Sequence, residues 1–136
     1  MTAPDSSVLI AGADPAHPFH ATVLDELVEV RDSGMLVAHT VAEVTAVLTA
    51  AAYGYPAAGV GEYLSQFLDR ETVGVAPADY PRAVTELTDT GIMGGALYDG
   101  LIALSARSAG ATLISLDRRA AATYRRCGTA FRLLDN

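Results

Sequence analysis

The sequence predicts a three-layer α/β/α domain built on a mostly parallel central sheet of four or five strands. Helix-patterned segments alternate with short apolar runs along the chain, which is typical of a parallel sheet with helices on both faces. The chain has 136 residues, of which 51% are hydrophobic, and this is sufficient for one sizeable core. Because no repeat, linker or low-complexity segment interrupts it, we expect a single domain over residues 1–136.

The first third of the chain contains two apolar runs and one clear helical pattern. The run Ser6–Ala11 is either the end of a first strand or the start of a turn into a helix, and Pro4 before it is unusual in a central strand. Apolar residues recur at helical spacing in His20–Asp32, and Gly34 ends that helix. The short apolar run Met35–Ala38 then predicts a strand.

The middle third predicts two helices and a strand. Thr40 is followed three residues later by Glu43, which matches a capping box and predicts a helix over Ala42–Tyr53. After a break rich in Gly and Pro, the pattern of Val60–Asp69 indicates another helix and that of Thr72–Ala76 indicates a strand.

The last third alternates in the same way. Tyr80–Asp89 predicts a helix, and after a glycine-rich joint Leu97–Ala109 predicts a strongly apolar one. The run Ala111–Leu116 is typical of a buried strand. A short basic helix over Arg118–Arg126 and a final strand over Ala130–Leu134 complete the prediction.

Composition excludes several classes of protein. The formal net charge of −7 and the pI of about 4.7 argue against a nucleic-acid binder on bulk charge alone. All nine basic residues are Arg, which excludes a P-loop and a phospho-receiver domain because both require Lys. The single cysteine, Cys127, excludes an internal disulfide and a cysteine-based zinc site. With neither a signal-peptide pattern nor a clean apolar stretch of about 20 residues, we expect a soluble cytoplasmic protein without a membrane segment.

Four carboxylates occupy positions that chemistry could use, namely Asp5, Glu43, Asp99 and Asp117. In a parallel sheet the ends of strands and the starts of helices share one edge, so these residues could converge on one crevice. Their mutual repulsion would be relieved by a divalent cation with a preference for oxygen ligands, Mg²⁺ or Mn²⁺. The reaction that such a site indicates is hydrolysis of a phosphodiester.

Each carboxylate also has a structural interpretation. A capping box would explain Glu43, a helix N-cap would explain Asp117, and a turn would explain Asp5. Asp99 is harder to explain in this way because the run Ala96–Leu104 contains no other charge, and burial without a partner is costly.

Four segments resemble the motifs of PIN domains, and in particular of VapC-like toxins. They are Asp5-Ser6-Ser7-Val8-Leu9-Ile10, Thr40-Val41-Ala42-Glu43, the run from Gly95 to Ala103 around Asp99, and Leu113-Ile114-Ser115-Leu116-Asp117-Arg118-Arg119. Their order and spacing match across almost the whole chain, and His17-Pro18-Phe19-His20 is similar to a segment found in bacterial VapC-like toxins.

The resemblance implies a function and a set of residue roles. Asp5, Glu43, Asp99 and Asp117 would form the catalytic metal site for Mg²⁺ or Mn²⁺, with Ser7 and Ser115 as polar supports. The chain would be an endoribonuclease toxin with a cognate antitoxin, and it would form a homodimer. Two alternatives stay open: a PIN nuclease of RNA processing outside a toxin–antitoxin pair, and an inactive α/β module that only binds a partner.

Three further groups of residues have two interpretations each. Arg118, Arg119, Arg125 and Arg126 could hold an RNA backbone, or they could form a solvated helix face. His17 and His20 could suit a metal, although Pro18 between them favours a loop or a helix start, and His39 is interpreted as a packing or capping residue. The aromatic side chains of the middle segment could stack on bases, but they are more typical of a seam between helices; they are Tyr53, Tyr55, Tyr63 and Phe67.

Overall fold

The computed structural model of the chain describes residues 1–134, so the last two residues of the predicted 1–136 domain lie outside the described residues. The strands are short: β1 Thr2–Pro4, β2 Leu36–Val37, β3 Thr72–Val73, β4 Thr112–Ser115 and β5 Phe131–Leu133. The helices are α1 Ser6–Ala13, α2 His20–Ser33, α3 Ala38–Thr49, α4 Ala57–Leu68, α5 Tyr80–Asp89, α6 Ala96–Ser108 and α7 Arg118–Arg126, with a 3-10 turn over Pro77–Asp79 before α5.

All strand pairs are parallel, as the sequence predicts. A three-stranded sheet has the order β1-β4-β5, and β2 pairs with β3 in a second sheet. The backbone N–H of Met35 donates to the carbonyl of Thr2 at 3.1 Å, so the second sheet lies beside the edge of the first. The predicted central sheet of four or five strands is therefore divided into two adjoining parallel pieces.

Helices lie on both faces of the strands, and the three-layer prediction is confirmed. Neighbouring residues of β4 point in opposite directions, because Leu113 belongs to one buried core cluster and Ile114 to another. The cluster around Leu113 contains residues of α5, α6 and α7, whereas the cluster around Ile114 contains residues of α1 to α4. At Gly12 in α1, an added Cβ would lie 2.3 Å from Leu27 Cδ1 and 2.7 Å from the Tyr63 hydroxyl, so the helices on that face pack closely.

The first apolar run is a helix, and the first strand precedes it. Of the two interpretations of Ser6–Ala11, the turn into a helix is confirmed, since α1 begins at Ser6. Pro4 lies in β1, and the amide that pairs with Ile114 O, at 3.0 Å, is that of Asp5. In a parallel ladder alternate amides face the same neighbour, so the missing N–H of Pro4 costs no hydrogen bond to β4.

Candidate active site

Asp5 connects the end of β1 to the start of α1 and is only 3% exposed. Its Oδ1 accepts hydrogen bonds from the Ser7 amide at 3.0 Å and the Ser7 hydroxyl at 2.5 Å, so the side chain caps α1. Its Oδ2 accepts a hydrogen bond from the Tyr124 hydroxyl at 2.8 Å. Burial raises the pKa of Asp5, and hydrogen bonds from Ser115, Ser7 and Tyr124 partly oppose that rise. Both carboxylate oxygens are thereby held in one orientation.

Glu43 lies in the second turn of α3, not in the first turn that the sequence predicted, because the helix begins at Ala38. The capping box is wrong: Val37 occupies the N-cap position, and the Thr40 hydroxyl is fully buried without a hydrogen-bond partner among residues 1–134. A cap therefore does not explain Glu43. Instead, the hydroxyl of Ser6 at the start of α1 donates a hydrogen bond to Glu43 Oε1.

Asp117 follows β4 and caps α7. Its Oδ1 accepts hydrogen bonds from the amides of Arg119 at 2.9 Å and Ala120 at 3.2 Å, so the N-cap interpretation is confirmed. The Ser115 hydroxyl accepts a hydrogen bond from the Asp117 amide at 2.9 Å. The Ser7 hydroxyl accepts one from the Leu116 amide at 2.9 Å, which links the start of α1 to the end of β4.

Asp99 lies in the first turn of α6 and is partly buried. Its pKa is raised from 3.8 to about 6, first by burial and then by the negative charges of Glu43, Asp117 and Asp5. The structure thus brings the four carboxylates predicted from the sequence into electrostatic contact at one end of the three-stranded sheet. The cap at Asp117 and its participation in this cluster coexist, since the capping bonds leave its charge in place.

The donor set at this place fits a hard divalent cation. Carboxylate oxygens are the ligands that Mg²⁺ and Mn²⁺ prefer. Within residues 1–134 no three His, Cys, Asp or Glu side chains already form a group that could enclose a metal ion. Mg²⁺ keeps several waters and binds through one or two carboxylates, so such an ion does not require three protein side chains around it.

The four arginines predicted to bind RNA divide into two pairs at opposite ends of α7. Arg118 and Arg119 lie at its start beside Asp117, and both line an open groove of about 530 Å³. The guanidinium of Arg125 lies 5.2 Å from the centre of the Phe131 ring, and that of Arg126 donates to the Thr90 carbonyl. The pair at the start of the helix is the one next to the carboxylates.

The histidines and the aromatic seam have structural partners. His20 Nδ1 lies 2.8 Å from the carbonyl of Ala11, and His17 Nδ1 accepts a hydrogen bond from the Phe19 amide at 3.1 Å. These contacts favour the interpretation of both histidines as loop and helix-start residues. Tyr53, Tyr55 and Tyr63 pack against the core cluster that contains Phe67 and residues of α1 to α4, which favours the interpretation as a seam between helices.

A family model for the PIN domain matches residues 3–126 of the chain. The chain belongs to the PIN domain family. The match spans all four carboxylates and most of the described residues. None of the helices over residues 1–134 of this PIN domain is long and apolar enough to cross a membrane.

Individual relatives agree with the family. The chain is 33% identical over 129 residues to a protein named Ribonuclease VapC40 in two strains of Mycobacterium tuberculosis, covering 93% of both chains. Among solved structures it is similar to FitAcB from Neisseria gonorrhoeae, with a TM-score of 0.70 and 21% identity over 96% of both chains. It is also similar to VapBC2 from Rickettsia felis, solved bound to a DNA fragment from their promoter, with a TM-score of 0.64 and 20% identity over 99% of this chain and 100% of that one.

Two residues of this PIN domain's candidate site were missed by sequence reasoning. Ser6 was included only as one residue of the first PIN-like motif, whereas its hydroxyl contacts Glu43 just as that of Ser7 contacts Asp5. Tyr124 lies among arginines in a short helix, and a single aromatic at such a position is typical of core packing. It is 1% exposed, and both burial and the neighbouring Asp5 raise its pKa, which keeps its hydroxyl protonated as a donor.

Proposed function

We propose that this PIN domain is a Mg²⁺- or Mn²⁺-dependent endoribonuclease and the toxin of a VapBC-type toxin–antitoxin pair in the cytoplasm. The observation that carries the proposal is the partial burial of Asp99 beside Asp5, Glu43 and Asp117, since burial first and then these three charges raise its pKa to about 6. Such crowding destabilises a fold unless a cation is bound. Membership of the PIN family and the 33% identity to a protein named as a ribonuclease support a nuclease.

Asp5, Glu43, Asp99 and Asp117 would hold the metal. When bound, a divalent cation activates water as a nucleophile and stabilises the charge that develops on the phosphate. The protein's contribution is to fix the ligands before substrate arrives. Ser7 and Tyr124 fix Asp5, while Ser6 fixes Glu43.

Ser115 fixes the loop that carries the fourth ligand. Its hydroxyl accepts the amide hydrogen of Asp117, so the carboxylate lies at a defined place after β4. Its contribution to lowering the pKa of Asp5 adds a second support for ionised ligands. Ser7 and Ser115 thus act as the polar supports that the PIN resemblance implies.

Arg118 and Arg119 would contact the RNA backbone. Both arginines line the open groove that also contains Asp117, so a phosphate held there would place the RNA backbone beside that carboxylate. Arg125 and Arg126 would follow the strand further along α7.

The antitoxin and a second protomer would bind the face formed by α2 and α4. A groove of about 260 Å³ lies between these helices, and its wall is largely apolar. Leu24 and Val28 on α2 are 43% and 46% exposed in this groove, next to the buried Leu27 and Phe67. Exposed apolar side chains in a continuous groove are typical of a protein-binding surface.

The test is RNA cleavage by the purified chain with Mn²⁺, with Mg²⁺ and with EDTA, beside Asp99→Asn. We expect cuts with either ion, none with EDTA and none by the variant, and sequencing of the RNA ends would identify the target. Growth arrest on expression, relieved by the product of a small neighbouring gene, would separate a toxin from a PIN nuclease of RNA processing. A folded protein that cuts no RNA with either ion would leave only the inactive partner-binding module.

A further inference from the structure

A pair of stacked aromatic rings bridges α3 and α6. The ring centres of His39 and Tyr98 are 5.3 Å apart and the planes differ by 4°. The other four ring pairs within residues 1–134 are tilted or edge-on, which makes this parallel stack distinct. Tyr98 is 52% exposed, so much of this side chain is accessible from solvent.

The stack lies beside the acidic cluster. Tyr98 immediately precedes Asp99 on α6, and His39 precedes Glu43 by four residues on α3, which is about one helical turn or 5.4 Å along the axis. The helices α3 and α6 therefore contact each other through these two rings, and they also bring the charges of Glu43 and Asp99 close to each other. A substrate whose phosphate lies at the carboxylates would pass the stack within the length of a nucleotide.

Neither ring has a polar partner that would explain its position. Among the hydrogen bonds of the described residues, none involves the Tyr98 hydroxyl or a ring nitrogen of His39, so no polar contact holds the pair in place. Packing accounts for the contact between the rings and leaves 52% of Tyr98 accessible to a ligand.

We propose that the His39–Tyr98 stack is a nucleobase subsite, in which an unpaired base of the RNA lies against the exposed ring of Tyr98. Single-stranded nucleic acids bind through such aromatic platforms because every base has a π-face. Stacking needs no positive charge, which suits a crevice lined by carboxylates in a chain of net charge −7. His39 supports the tyrosine ring from the inner side. This proposal rests on the proposed ribonuclease function, since it assigns the recognition of one base beside the cut.

Binding can be measured separately from cleavage. The probe is a single-stranded 2′-O-methyl oligonucleotide of about eight nucleotides, a length comparable to the site size of an OB-fold domain, titrated in EDTA. An abasic nucleotide is moved along it one position at a time, and each oligonucleotide is titrated against wild type, Tyr98→Phe and Tyr98→Leu. Tyr80→Leu is the matched control, because Tyr80 is 42% exposed on α5 and lies outside the stack.

We expect one abasic position to weaken wild-type binding about tenfold, which is within the range of a single base stack. Tyr98→Phe and the Tyr80→Leu control should show the same loss. Tyr98→Leu should bind the intact oligonucleotide about tenfold more weakly and be indifferent to the abasic position. His39→Leu removes the ring that packs against Tyr98. It should weaken binding of the intact oligonucleotide by less than tenfold and reduce, but not remove, the abasic penalty.

Two results would overturn the subsite. One is an equal abasic penalty in wild type and in folded Tyr98→Leu, which would show that the ring does not contact the base. The other is wild-type binding that no abasic position weakens. Failure of the ribonuclease proposal is distinguishable, because it appears as no cleavage with Mn²⁺ or Mg²⁺, whereas a chain that cleaves RNA but shows either result loses only the subsite.

Discussion

Replacing Asp99 by Asn should stabilise the metal-free protein and abolish its activity. The pKa of Asp99 rises from 3.8 to about 6, a shift of about 2 units, and each unit corresponds to about 1.36 kcal/mol. The upper limit is therefore about 3 kcal/mol. Asp99 is only partly buried, so solvent screens much of this, and removing a carboxylate from the first turn of α6 loses a favourable dipole contact. We expect a net gain of about 1 kcal/mol near neutral pH.

The gain should depend on pH in a defined direction. Because the pKa of Asp99 is higher in the folded chain, the folded state binds the proton more tightly than the unfolded state. The corresponding stability is present below the unfolded pKa of 3.8 and is lost as the pH rises through about 6. Asp99→Asn lacks this loss, so the difference in stability between variant and wild type should be small near pH 4, grow up to about pH 6 and stay at its largest value above that.

Urea denaturation in EDTA at about pH 4 and about pH 7.5 measures this difference. Asp25→Asn is the control for the loss of a carboxylate, because Asp25 is exposed on α2 and does not belong to the acidic cluster. Activity against RNA is measured on the same preparations. A variant that is less stable than wild type yet still cleaves RNA would refute the assignment of Asp99 to the metal site.

Three other perturbations test the site. Mn²⁺ should stabilise wild type by up to about 2.7 kcal/mol at a hundredfold excess over Kd, measured as a higher melting temperature, and should stabilise Asp99→Asn little. Equal shifts in the melting temperatures of both proteins would argue against the site. Tyr124→Phe should weaken Mn²⁺ binding measured by calorimetry, because Asp5 loses a donor at 2.8 Å, whereas Tyr63→Phe, which removes a hydrogen bond of 2.7 Å to Leu9 O, should lower stability alone. Arg119→Glu should weaken RNA binding and reduce the salt dependence of the binding constant by the equivalent of about one phosphate contact. Arg82→Glu, with a side chain 81% exposed beside Asp79, is the control and should change neither. Identical salt slopes of RNA binding in wild type and Arg119→Glu would exclude the RNA contact.

The placement of Asp5 and Asp117 could be predicted because a general rule covers it. Both follow strands of one parallel sheet, and the carboxyl ends of parallel strands meet at one edge. Asp99 could be singled out because the apolar run Ala96–Leu104 contains no other charge, and a carboxylate in such a run requires an explanation. The strand β1 was harder to predict, since three residues ending in Pro4 give too little pattern.

The partners of the carboxylates could not be predicted in the same way. Ser6 and Glu43 are 37 residues apart in the sequence, and Tyr124 and Asp5 are 119 apart. No local sequence pattern predicts a hydrogen bond over such a separation. The capping box failed because Thr40 and Glu43 have the right spacing but lie inside a helix that starts two residues before Thr40. A cap is decided by where the preceding strand ends, which depends on how β2 pairs with β3.

Asp5 and Asp117 cap α1 and α7, and we also propose that both hold the metal. A replacement that keeps the cap can therefore remove the proposed activity and leave the fold intact. Asn caps a helix about as well as Asp, so Asp117→Asn would remove a charge from the cluster and still allow α7 to begin at the same residue. Such a chain would keep the groove between α2 and α4 that we assign to the antitoxin. The variant would bind the proposed antitoxin without cutting RNA. It would therefore compete with active toxin for the antitoxin and leave more of the active toxin unbound. A single conservative replacement would therefore convert the proposed toxin into a competitor for its proposed antitoxin.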